Sequence, residues 1–78
     1  MPTILKIGSF RFFFYSNERG EPAHIHVQRD RILAKFWLVP VILASSTRFT
    51  PRELRKIESM VIENREIFIE AWNEHFSY

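Results

Sequence analysis

The chain has 78 residues, 46% of them hydrophobic and 26% charged, an ordinary globular balance that argues against intrinsic disorder. It contains no cysteine, which excludes disulfides and thiolate metal sites and fits a reducing, cytoplasmic setting. The net charge of +2 is unevenly spread: residues 1–49 carry seven Lys/Arg against three Asp/Glu, and residues 50–78 carry four against six. A basic half joined to an acidic half points to one face that meets something anionic, unless the acidic half is simply a solvated helix.

The first residues, Met1 to Lys6, lack a basic start and a long apolar run, so no signal peptide is expected. Ile4 to Ile7 predicts a first short strand, with Gly8-Ser9 as a turn. Phe10 to Tyr15 predicts a second, because aromatic side chains suit a pleated surface. Ser16 to Pro22 is turn chemistry throughout. His24 to Val27 alternates with period two and predicts a third strand, and Gln28 to Asp30 a turn. Arg31 to Leu38 predicts a fourth strand. The apolar run from Phe36 to Ala44 is interrupted by Pro40 and is far too short to span a membrane. Val41 to Ser45 reads as a short edge strand or a connector.

From Thr50 the period changes. Thr50-Pro51-Arg52-Glu53 offers Thr at the N-cap, Pro at the first helical position and Glu two residues further on, a capping box. Leu54, Ile57, Val61, Phe68, Trp72 and Phe76 then recur mostly three or four apart, and no Gly or Pro interrupts Arg52 to Tyr78. One helix of that length runs roughly 40 Å, more than a four-stranded sheet covers, so its last turns are expected to overhang or to meet a partner. The sequence therefore predicts a single domain, 1–78, of α+β class. It should be an antiparallel β-meander of three to five short strands (1–49), with one long C-terminal helix (50–78) packed across one face.

Alternation sorts the strand residues onto two faces. Leu5, Ile7, Phe10, Phe12, Phe14, Ile25, Val27, Ile32, Phe36 and Leu38 form the apolar set that must face the helix. The opposite face would gather Lys6, Arg11, Phe13, Tyr15, His24, His26, Arg31, Lys35 and Trp37. Rings between bases on a sheet suit the stacking of unpaired nucleotides, with cations for their phosphates. The same mixture of Tyr, Trp, Phe and Arg is favoured at protein interfaces. An exposed sheet face of this kind leaves both readings open.

His24 and His26 have the chemical reach. Two apart on a strand, they project to one side with α-carbons roughly 6.5–7 Å apart. As a general acid–base pair they would serve RNA cleavage by 2′-hydroxyl attack without a metal, with Arg11, Lys35 or Arg31 supplying the cation at the phosphate. As chelators they would need a third ligand, such as Glu21 or His75. The plain alternative is a pair of surface histidines in a hydrogen-bonded strand, and H-x-H alone is a weak signal. No Gly-rich phosphate loop, nucleophile elbow or paired carboxylates appear, so no cofactor is expected.

Several phrases together carry a resemblance. Arg11-Phe12-Phe13-Phe14-Tyr15-Ser16-Asn17-Glu18, then Glu21-Pro22-Ala23-His24-Ile25-His26-Val27, then Ala34-Lys35-Phe36-Trp37-Leu38 and the Glu53-Leu54 helix start resemble a family of small bacterial proteins, domain of unknown function 4160. The chain departs from that pattern in having Ala23 in place of a frequent second Pro, Val39 in place of a frequent acid, and Arg48 in place of a frequent Gly. Members are commonly encoded beside another short protein that resembles a DNA-binding antitoxin. The resemblance thus implies one component of a small toxin–antitoxin-like pair, with a cognate small protein as partner. It brings no established catalytic residues. The expectation is a sheet face that binds RNA or that partner, His24, His26, Lys35 and Arg11 being the catalytic candidates if the chain cleaves RNA. Lys6, Phe13, Tyr15, Arg31 and Trp37 are the binding candidates. A non-enzymatic protein-interaction module, as a dimer or a heterodimer, and a metal-binding protein using the His24/His26 pair are the alternatives.

Overall fold

The computed structural model describes residues 3–15 and 20–76. Five strands, β1 (Thr3–Ile7), β2 (Phe10–Phe13), β3 (His24–Arg29), β4 (Ile32–Leu38) and β5 (Val41–Ser46), form one antiparallel sheet in the order β1-β2-β3-β4-β5. Each short connection has its own turn chemistry. Gly8, between β1 and β2, sits at φ +59°, and Asp30, between β3 and β4, at φ 56°, a region that Gly and Asp tolerate better than most residues. A cis Val39–Pro40 bond joins β4 to β5. The second strand ends two residues before Tyr15, and Gln28 and Arg29 extend β3 where a turn was predicted; the turn is confined to Asp30 and Arg31. The segment Val41 to Ser45 is the core of a true edge strand.

The C-terminal half forms two helices, α1 (Pro51–Glu63) and α2 (Arg65–His75), and not the single long helix that the unbroken pattern predicts. The interruption is Asn64. Its side-chain Nδ2 donates to the Met60 carbonyl at 2.9 Å, and its backbone N–H reaches the same oxygen at 3.1 Å. An amide competing locally for backbone partners is a known reason for Asn to end helices. The Arg65 guanidinium then donates to the Leu38 carbonyl at 2.8 Å, which ties the junction to the end of β4. The start of α1 is as the sequence dictates. Thr50 Oγ1 accepts from the Glu53 N–H at 3.1 Å, and Glu53 accepts from the Thr50 N–H at 3.0 Å.

The helices cover one face of the sheet, α1 over β4 and β5, α2 over β3 and β4. Between the layers lies an aromatic core. Phe10, Phe12, Phe14, Ile25, Val27, Ala34, Phe36 and Leu38 meet Phe49, Ile57, Val61, Phe68 and Trp72, with Leu5, Ile7 and Ile32 half-buried at its margin. Phe12 stacks on Phe68 at 5.2 Å between ring centres. The helix end does not overhang: Trp72 and Phe76 close on Phe14 at 5.4 and 5.6 Å. Among the described residues no helix is long and apolar enough to cross a membrane.

Candidate nucleic-acid interface

Register decides what the open face brings together. Phe13 pairs with His26, His26 with Lys35, and Lys35 with Ser45, so these four residues form one row across β2 to β5. A second row runs His24, Trp37, Ile42, and a third Arg11, Gln28, Leu33. A meander with neighbouring strands in chain order makes these rows short and contiguous.

The first row opens into a shallow cleft of about 260 Å³, lined by Tyr15, His26, Leu33, Lys35, Ser45 and Thr47, among others. The His26 ring is fixed from two sides. Phe13 stacks on it at 5.5 Å with 25° between planes, and Tyr15 meets it edge-on at 4.7 Å. Lys35 Nζ lies 4.5 Å from the centre of the Trp37 ring, a cation–π contact, and 2.8 Å from Glu21 Oε1. Both members of that ion pair are partly solvated, where such pairs contribute about 0–1 kcal/mol. Thr47 Oγ1 accepts from the Leu33 N–H at 3.1 Å and holds the rim of the cleft to β4.

Two residues expected on this open face are not accessible there. His24 is 0% exposed. It opens β3 beneath the end of α2, with its ring 4.7 Å from Trp72, 5.6 Å from Trp37 and 5.1 Å from His26. Its Nδ1 lies 2.9 Å from the Pro22 carbonyl, which only accepts, so Nδ1 carries the proton. The two imidazoles thus share a side of the strand without sharing access to solvent. Phe13 is 1% exposed, because Arg11, Tyr15 and His26 lie over and around it. It braces His26 and offers no free ring to a base.

The remaining candidates divide. Tyr15 and Trp37 are half-buried beside the cleft. Arg11 sits over the Phe13 ring and is held by Thr3 Oγ1 at 2.6 Å and Gln28 Oε1 at 3.0 Å, with β3 between it and Lys35. Lys6 is exposed and pairs in register with Arg11, which extends the cationic surface toward β1. Arg31 lies in the β3–β4 turn rather than on the strand face. His75 packs on Phe14 and Phe76 at the end of α2, and Glu21 is engaged by Lys35. Among the described residues no three His, Asp or Glu side chains converge to hold a metal ion. Ser45 and Thr47 were missed. Their signal was the Ser45-Ser46-Thr47 run at the end of an apolar strand, where hydroxyls replace the aliphatic side chains.

The family model described as "Domain of unknown function (DUF4160)" matches residues 9–73, and the chain belongs to that family. No curated protein and no solved structure matches the chain.

Proposed function

We propose that this chain is the RNA-binding component of a small toxin–antitoxin-like pair, and that the cleft over β3, β4 and β5 is its RNA site. The observation that carries this reading is the row His26–Lys35–Ser45, which opens to solvent with Tyr15 beside it. Lys35 supplies the charge for a phosphate, Ser45 a hydroxyl, and Tyr15, with Trp37 beneath Lys35, an apolar surface against which an unpaired base can rest. The partition of charge supports it too. The strand-rich half is net +4 and the helical half net −2, so the anionic helices stand on the opposite side of the sheet from the cleft.

Binding is better supported than cleavage. Attack by a 2′-hydroxyl needs one group to take its proton and another to protonate the leaving oxygen. His26, which borders the cleft, is the candidate for the first task. His24, the expected partner, is covered by α2, and its role here is to hold the His26 ring in place. The gene pairing implied by the family resemblance supplies the partner, a cognate small protein.

The test combines binding and growth. The purified chain should bind a fluorescently labelled single-stranded RNA with an affinity that falls steeply with salt, and Lys35→Ala should weaken it about tenfold. Expression should arrest bacterial growth. Growth arrest that persists unchanged in stably folded Lys35→Ala and His26→Ala variants would remove the cleft from the mechanism.

A further inference from the structure

The β5 edge has a composition that a solitary molecule seldom leaves exposed. Its six residues, Val41–Ser46, carry no charge, and among the described residues the strand is paired on one side only. Ile42 is 52% exposed and Leu43 39% exposed. Edge strands of monomeric proteins are usually guarded by Lys, Pro, an inward charge or a covering element. Here Pro40 stops the strand at one end, and a register shift beside Lys35 and Phe36 shortens its regular part, but no charged side chain on β5 itself guards it.

The layer above has a matching shape. Between β5 and α1 lies a notch of about 130 Å³, lined by Phe36, Leu43, Leu54, Arg55 and Glu58. Apolar cavities of about 150 Å³ take a single benzene-sized group, so the notch has room for roughly one aliphatic side chain. Arg55 and Glu58 stand at it with opposite charges, and Ile62, 56% exposed, continues the same stripe of α1 at helical spacing.

We propose that the β5 edge and the adjoining stripe of α1 form a self-association surface, occupied by a second copy of this chain about a two-fold axis. The charge pattern selects that occupant. A two-fold axis through the edge runs α1 antiparallel to its copy, and an axis that crosses between Arg55 and Glu58 sets Arg55 of each chain against Glu58 of the other. A polyanion would be repelled by Glu58, and an unrelated protein would need the same plus–minus spacing by coincidence. Antiparallel pairing of β5 with its copy satisfies both rows of free backbone groups and continues one sheet through both chains. Ser45 and Thr47 lie at that edge, so the two clefts become neighbours on one surface. The inference stands independently of what the clefts bind.

Sedimentation velocity across a dilution series of the whole chain tests it. The wild type should pass from dimer to monomer on dilution. Arg55→Glu and Glu58→Arg should each weaken the dimer about tenfold while leaving the thermal melt of the monomer unchanged. Mixed together, the two single variants should form a heterodimer tighter than either homodimer, because every Arg–Glu contact is restored across the axis. The double variant Arg55→Glu/Glu58→Arg should return to near wild-type affinity. A wild type that stays monomeric at several hundred micromolar, or single variants that gain nothing on mixing, would overturn the proposal.

Discussion

His24 and His26 show how one strand gives two like residues different duties. Alternation sets both on the side away from Ile25 and Val27, and the rings do lie 5.1 Å apart. Their surroundings then diverge. His24 is held by the Pro22 carbonyl and closed over by Trp72, whereas His26 borders the cleft. Deleting a buried ring leaves a void, so His24→Ala should cost about 2–4 kcal/mol of stability in denaturant melts. His26→Ala should cost less than half of that. Equal losses for the two would contradict the asymmetry of burial. The parity of these residues was legible in the sequence, because period two is a local property. The burial of His24 was not, because it depends on where a side chain from the far end of the chain comes to rest.

At the scale of elements, the strands and the first helix start were the most legible. Phe10, Phe12 and Phe14 declare one face, Ile25 and Val27 continue it, and Thr50-Pro51-Arg52-Glu53 fixes the entry to α1. Glu53 is also joined to Arg29 by an ion pair, which links the helix start to the end of β3. The Thr50 N–H, and after it Arg29, hold the Glu53 carboxyl below its ordinary pKa of 4.5. A depressed carboxyl pKa gives stability that is present above the ordinary value and is lost as pH falls through the lowered one. Wild type should therefore lose stability relative to Glu53→Gln as pH is taken below about 4.5, with the two curves parallel above it. A constant gap down to pH 2 would dissociate Glu53 from the effect. Thr50→Ala, which removes the reciprocal bond, should cost about 1 kcal/mol. The break at Asn64 escaped the sequence reading, because one polar residue on an otherwise continuous apolar stripe is compatible with a helix. What ends α1 there is a local amide–carbonyl bond, and Arg65 anchors the next residue to β4.

The whole molecule is a two-layer plate with its charge divided between the layers. Seven of the eight phenylalanines lie in or against the space between the layers, which explains how so short a chain fills it. Aromatic rings bury 150–250 Å² each, and Phe12, Phe14, Phe36 and Phe68 are all closed off there. The face left open is cationic at Lys6, Arg11 and Lys35 and contains the cleft, while the covered face carries the acidic helices. This division was visible in the charge count of the two halves. The cleft itself was not, since it arises from the pairing of Lys35 with Ser45 and the hydroxyl-bearing end of β5. RNA engagement at the cleft can be read by amide chemical-shift mapping of the isotope-labelled chain during titration with a single-stranded RNA. RNA engagement there should give saturable shifts concentrated at His26, Lys35 and Ser45 to Thr47, diminished in Lys35→Ala. Shifts centred on the exposed faces of α1 and α2, or none at an RNA excess and low salt, would contradict it.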